Sequence, residues 1–427
     1  MSKLNVFMFS ELYEMSSGIS SKPEQAGHGA PFASFSTIFN NYFLPDTLPD
    51  LMDTTEREQH SYSIKKGDIF LTRTSETLDE LGMSCVAIKD YPKATYSGFV
   101  KRLRPIKANL TDERYMGFYL RSKFFRKTMT NNAIMTLRAS LNEEIFSYLK
   151  LYLPEYKEQK KSGEFLFLLN SKIELNNQIN LQLESITKLL YNYWFVQFDF
   201  PNKNGKPHKT SGGKMVWSEE LKREVPVGWE VKEISELVSD IRTGLNPRTH
   251  FKLGTGTNYY ITIKNIEYGR IHFDKSCDRI DNNALERIQK RSNLEKGDIL
   301  FTSIEPVGLT YLVHEAPKNW NINESVFSFK PNYNLLTSEY LFMLLSSKGF
   351  NDLCRNSSTG SIHKGIRITP LKAFKVVCPE MEIITEFTKI ISPLLSKIDN
   401  NQKENQKLAE LRDWVLPMLM NGQVKLP

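Results

Sequence analysis

Two stretches of this chain share one pattern of apolar and polar positions. From about Glu164 to Phe195, the residues Ile173, Asn176, Asn180, Leu183, Ile186 and Leu190 step by three and four with no glycine or proline between them, which predicts one long helix. Near the C-terminus Ile398, Asn401, Asn405, Leu408, Leu411 and Val415 repeat that spacing, and Pro417 is the expected stop. Asparagines in an apolar seam weaken packing but select register and partner, because a buried amide is satisfied only opposite another polar group. The pair is therefore expected to form an antiparallel coiled coil. In the first half the residues ahead of the helix break into short β-like runs, Asp68–Thr72, Ser84–Ile88 and Phe99–Leu103, with turns between them and a helical stretch near Thr111–Thr130.

Other landmarks recur in the same order. Ser10-Glu11-Leu12 returns as Ser235-Glu236-Leu237, Gly27-His28-Gly29 as Gly254-Thr255-Gly256, Lys66-Gly67-Asp68-Ile69 as Lys296-Gly297-Asp298-Ile299, and Ser171-Lys172-Ile173-Glu174 as Ser396-Lys397-Ile398-Asp399. Offsets of about 225 residues are far longer than a solenoid period, so the chain is a duplicated domain-plus-helix unit. The expected fold class is α+β: two similar globules joined by two long helices in a pseudo-twofold internal repeat. Residues 1–163 form the first globule, 164–198 the central helix, 199–225 a polar connector rich in turn formers, 226–385 the second globule and 386–422 the distal helix. Pro226-Val227-Gly228-Trp229 leads into the second globule, with Trp229 packed on it; the first half shows no such lead-in.

With 427 residues, 40% of them hydrophobic and 25% charged, the chain is ordinary for soluble globular protein. Cys85, Cys277, Cys354 and Cys378 form no Cys-x-x-Cys pair, so neither zinc nor a disulfide framework is signalled. No apolar run is long enough to span a bilayer, and the expected location is cytoplasmic, without a membrane partner.

Charge changes the picture more. The net charge is +7, and Lys101, Arg102, Arg104, Lys107, Arg114, Arg121, Lys123, Arg126, Lys127 and Arg138 lie in one segment with only Asp112 and Glu113 against them. A second, acid-free stretch carries Arg355, Lys364, Arg367, Lys372 and Lys375. Matching basic patches in matching halves favour a nucleic acid, bound through phosphate contacts and counterion release. A helix of about 26 residues spans roughly 40 Å, near the ~34–36 Å between sites one DNA turn apart. The helices can thus act as a ruler, a role compatible with simply closing an intramolecular core.

Catalytic motifs are missing. There is no phosphate-binding Gly-x-x-x-x-Gly-Lys-Ser/Thr, no His-Glu-x-x-His and no Gly-x-Ser-x-Gly elbow. Asn246-Pro247-Arg248 falls short of the Asn-Pro-Pro-aromatic tetrapeptide of DNA methyltransferases, and the seven histidines are dispersed. An enzyme is disfavoured, and no catalytic residue, cofactor site or metal site is expected in the chain. Among the basic residues, Lys101, Arg102, Arg104, Arg121, Lys123, Arg126, Lys127, Arg138, Arg355 and Arg367 are candidates to hold phosphates. Arg73, Ser75, Asn246, Arg248 and Ser303, with Ser358, Thr359, Ser361, His363 and Lys364 of one loop, are candidates to read base edges.

Tyr191-Asn192-Tyr193-Trp194-Phe195-Val196-Gln197-Phe198-Asp199-Phe200-Pro201, then Gly205-Lys206-Pro207, Gly212-Gly213-Lys214-Met215 and Leu221-Lys222-Arg223-Glu224-Val225-Pro226-x-Gly228-Trp229, closely resemble specificity subunits of type I restriction-modification systems. Gly297-Asp298-Ile299-Leu300-Phe301-Thr302 and Leu411-Arg412-Asp413-Trp414-x-Leu416-Pro417-Met418-Leu419-Met420-Asn421-Gly422 look like the same family. The resemblance spans nearly the full chain. It implies that each globule is a target recognition domain reading one half of a split double-stranded DNA sequence. It further implies that two methyltransferase subunits using S-adenosylmethionine and two translocase-nuclease subunits using ATP and Mg dock on this frame, so that the cofactors belong to the partners. Tyr193, Trp194, Phe195 and Trp414 are candidate docking residues. The remote alternative is a coiled-coil adaptor that binds only protein, which leaves the basic patches unexplained.

Overall fold

The computed structural model describes residues 4–20, 22–75, 81–132, 134–135, 139–140, 149–357 and 365–426. Contacts divide the chain into two compact units, residues 1–175 with 404–427 and residues 176–403, and the boundary falls inside both long helices. The helices are therefore not domains of their own, as the sequence reading had them.

In the first unit an antiparallel sheet runs in the order Tyr13–Ser17, Val100–Pro105, Ile69–Thr72, Ser84–Val86. A three-stranded sheet places Ala26–Ala33 between Asp50–Met52 and Thr95–Tyr96, the last pairing parallel. In the second unit the order is Val238–Thr243, Val326–Pro331, Ile299–Thr302, Thr310–Leu312, and Asn258–Ile261 lies between Asp278–Ile280 and Trp320–Ile322, again with the last pair parallel. Strand order, direction and pairing repeat. Each unit also closes with a two-stranded ladder, Asn5–Met8 on Lys150–Leu153 and Glu230–Glu233 on Lys375–Cys378. The first half thus has a lead-in strand, Asn5–Met8, where the sequence shows none.

The repeated Lys-Gly-Asp-Ile landmark has a physical reason. Gly67 and Gly297 sit at φ 86° and 92°, where a side chain is disfavoured. The Asp68 carboxylate accepts the Lys65 amide at 2.7 Å and Asp298 that of Glu295 at 3.0 Å, closing the turn. Each buried carboxylate then meets a cation from the neighbouring strand, Arg104 at 2.6 Å and Lys330 at 3.2 Å. The strands that follow, Ile69–Thr72 and Ile299–Thr302, are buried at every position, as central strands covered on both faces must be.

The central helix runs Tyr156–Tyr191, starting eight residues before the expected edge. Gly163 lies inside the helix, where a Cβ would come within 2.5 Å of the Tyr115 amide nitrogen and 2.6 Å of Asp112 Oδ1, the cap of helix Glu113–Tyr119. The distal helix runs Met381–Met420, five residues earlier than expected and through Pro417, which does not stop it. Within the first unit Arg412 donates to Asn170 Oδ1 at 3.1 Å and Lys172 faces Glu404 at 3.5 Å. Within the second, Asn401 donates to Asn180 Oδ1 at 2.8 Å and Tyr191 packs on Phe387. In each unit one helix number rises as the other falls, so the pairing is antiparallel, and in the asparagine seam Asn180 and Asn401 satisfy one another. Trp229 is buried with Phe195, Phe198 and Phe200 in the second unit's core. The expected helical stretch near Thr111–Thr130 is two helices, Glu113–Tyr119 and Lys123–Asn132.

Candidate nucleic-acid interface

In the first unit the basic segment divides. Lys101 Nζ donates to Ser17 Oγ at 2.8 Å, Arg102 to the Ser63 carbonyl at 2.8 Å while lying over the Tyr96 ring, and Arg104 pairs with Asp68. Arg121 donates to the carbonyls of Ser84, Ile38, Phe39 and Asn41 at 2.6–3.0 Å and stacks on Tyr42; burial pulls its guanidinium below the usual arginine range. As phosphate contacts these four are corrected: strand Val100–Pro105 is central in its sheet, so its cations serve the fold. Arg126 is half-buried on the Leu81 carbonyl, whereas Lys123 and Lys127 of helix Lys123–Asn132 are exposed. Arg138 lies outside the described residues.

Arg73 is exposed at the end of strand Ile69–Thr72, and its amide donates to the Phe99 carbonyl at 3.1 Å. Phe99, which the sequence reading had assigned to a strand, is 69% exposed at this tip. Ser75 follows in a two-residue strand paired with Ala139–Ser140.

The corresponding end of the second unit is more elaborate. Asn246 caps the turn Pro247–His250, accepting the Arg248 amide at 2.9 Å, and its amide donates to Glu324 Oε1 at 2.7 Å. Tyr260 OH donates to the Leu245 carbonyl at 2.6 Å and stands 3.4 Å from Glu324 Oε2; burial and that carboxylate's charge push the phenol well up. These groups line a polar cavity of about 400 Å³ with Arg248, Thr262, Asp278 and Asn323. Arg287 donates to the His250 carbonyl at 2.7 Å and Arg291 to Thr243 Oγ1 at 3.3 Å, which ties helix Asn282–Ser292 to the Pro247–His250 turn and to the end of strand Val238–Thr243. Arg248 is exposed. Ser303 is corrected: it is buried and donates to the Ser325 carbonyl at 2.8 Å.

Arg355 and Arg367 are exposed, the former 4.0 Å from Asp352, and Lys375 of the same acid-free stretch pairs with Glu220 at 2.6 Å. Ser358, Thr359, Ser361, His363 and Lys364 lie outside the described residues. The sequence reading missed Glu324, Arg287, Arg291 and Phe99. Acids interleaved around helix Asn282–Ser292 dilute its local charge, and Glu324 is conspicuous only when the two repeats are superposed turn by turn.

The family model for the type I restriction modification DNA specificity domain matches residues 2–185 and again residues 226–410. The chain belongs to this family. It is a specificity subunit, the non-catalytic DNA-recognition member of a type I restriction-modification system. It is 24% identical over 371 residues to the MjaIX specificity subunit of Methanocaldococcus jannaschii, covering 84% of this chain and 78% of that one. It is likewise 24% identical over 447 residues to the HindI specificity subunit of Haemophilus influenzae, covering 92% and 94%. The fold matches that of the type I restriction-modification S subunit of M. genitalium with a TM-score of 0.63 at 14% identity, over 98% of this chain and 96% of that one.

For this specificity subunit the expected docking aromatics also divide. Trp194 and Phe195 are buried against Phe387, Trp229 and Tyr340, so they are core residues and not a docking face. Tyr193 is partly exposed, and Trp414 is 68% exposed on the distal helix. Among the described residues no helix is long and apolar enough to cross a membrane, and no group of histidine, cysteine or acidic side chains could hold a metal ion.

Proposed function

We propose that this subunit reads a split double-stranded DNA target in the cytoplasm, the first globule taking one short block and the second another. What carries the reading is the repeated sheet order with different side chains at its tips: Arg73 and Phe99 in one copy, Asn246, Arg248 and Glu324 in the other. A duplicated scaffold with diverged tips suits two related but unequal half-sites. Exposed cations such as Lys123, Lys127, Arg355 and Arg367 supply phosphate contacts, which position without specifying. Two methyltransferase subunits with S-adenosylmethionine dock on the frame, and two translocase-nuclease subunits with ATP and Mg complete the restriction complex. Trp414 and Tyr193 belong to the docking faces.

The test is the adenine methylome of a methylation-deficient host expressing this chain with its cognate methyltransferase subunit, against that subunit alone. A new motif of two defined blocks around a fixed spacer is expected. No new motif from an assembled complex, with the methyltransferase active alongside another specificity subunit, would overturn the proposal in favour of an adaptor.

A further inference from the structure

The strongest unassigned feature is a carboxylate held in the polar cavity of the second unit, whose wall also carries Arg248 and Asp278. Glu324 stands in the turn Asn323-Glu324-Ser325, half-buried in the polar cavity. Exposed Arg248 and exposed Asp278 line the same cavity, and helix Asn282–Ser292 is tied to this end of the unit, Arg287 to the His250 carbonyl and Arg291 to Thr243 at the end of strand Val238–Thr243. A carboxylate on a surface that meets DNA opposes the general attraction for phosphate, and the favourable contact open to it there is a specific base-edge donor. Its two oxygens offer about four lone-pair directions, of which Asn246 takes one; the single Tyr260 hydroxyl proton goes to the Leu245 carbonyl, and that hydroxyl only stands 3.4 Å from the other oxygen. The Asn246 bond orients the group and leaves acceptor capacity towards the cavity.

The other copy of the fold supplies the control. After the parallel strand, Asn323 N donates to the Ile261 carbonyl and Val326 N to Asn323, as Ser97 N donates to Ala33 and Val100 N to Ser97. The turns are equivalent, and the place of Glu324 is taken by Gly98, where a Cβ would come within 2.8 Å of the Ile19 carbonyl. One backbone thus presents an acceptor in one copy and nothing in the other. The close approach of the Ile19 carbonyl keeps Gly98 bare, whereas the second copy leaves room at this position for a side chain that can meet a ligand.

Among base edges in the major groove, guanine presents N7 and O6, thymine O4, and adenine N6 beside the N7 acceptor; only cytosine presents an amino donor with no acceptor alongside. We propose that Glu324 reads one base of the second globule's block by accepting a hydrogen bond from the 4-amino group of a cytosine. Asn246 is its positioning residue. The inference rests on the proposed DNA-reading role.

The experiment compares methylomes of the complete methyltransferase complex carrying wild-type subunit or Glu324→Gln, with complex assembly and melting temperature checked in each. The wild-type motif should contain a C·G pair at one position that becomes degenerate in Glu324→Gln, while every position of the other block stays unchanged. In parallel, the wild-type complex is titrated with target duplexes in which each cytosine in turn is replaced by an analogue lacking the 4-amino group. Binding should fall about 10- to 100-fold at that position relative to the same analogue in the spacer. If Glu324→Gln does not assemble, the analogue series alone decides. A wild-type split motif that Glu324→Gln leaves intact, or an analogue series with no sensitive cytosine, overturns this inference and spares the parent proposal. Absence of any wild-type motif from an assembled, competent complex overturns both.

Discussion

Arg121 and Lys123 lie two positions apart in one basic segment, and the structure gives them opposite work. Arg121 satisfies four main-chain carbonyls, so Arg121→Ala should lower unfolding free energy by about 2–4 kcal/mol in denaturant titration, because buried acceptors lose their donors. Lys123→Ala should change stability by no more than about 0.5 kcal/mol. It should instead weaken binding to all DNA sequences alike and flatten the salt dependence by about one unit. Loss at one sequence alone would refute its assignment to phosphate. Sequence composition treats both as positive charge; only the carbonyls around Arg121 tell them apart. His314 gives the pH dependence at this scale. Burial, opposed in part by Asp399, holds its imidazole below the usual value of about 6.5, so the folded state favours the neutral ring. The stability this gives is complete above about pH 6.5 and is lost as pH falls towards the depressed folded value. The melting temperature should therefore drop between pH 7.5 and 5.5, and His314→Gln should shrink that drop.

At the scale of elements, the long helices were legible because their three-and-four spacing runs for several turns, whereas their edges were not. Gly163 looks like a helix breaker in sequence, and its role as a gap for Tyr115 and Asp112 exists only once the helices are packed. Alanine normally gains about 1 kcal/mol over glycine in a helix. Gly163→Ala should nevertheless destabilise by about 1–3 kcal/mol, since its Cβ has no space; a raised melting temperature would show that the neighbouring helix yields. The Asn180–Asn401 pair makes the complementary case. Asn180→Leu or Asn401→Leu alone should cost about 1–3 kcal/mol by leaving a buried amide unpaired, while the double substitution should recover most of that loss in a double-mutant cycle. Pro417 was expected to end the distal helix, yet a proline removes only one helical hydrogen bond, and Val415 and Leu419 on either side are buried in the first unit's core.

At the scale of the whole molecule, the proposed reading of one block by each globule makes the two recognition roles separable by mutation. Arg248→Ala should relax methylation specificity in the second globule's block alone, and an unchanged methylome would count against a reading role for Arg248. The internal repeat, the α+β class, the paired helices and the family were all open to reading in sequence, because each is carried by periodic or recurring residues along the chain. Strand pairing across some 30 residues, the inward turn of Arg102, Arg104 and Arg121, and the meeting of Asn246 with Glu324 across 78 residues were not. Local pattern determines which elements form and how often they recur. Which charges are consumed inside and which are left to meet DNA depends on contacts between distant residues, and that only the tertiary structure decided.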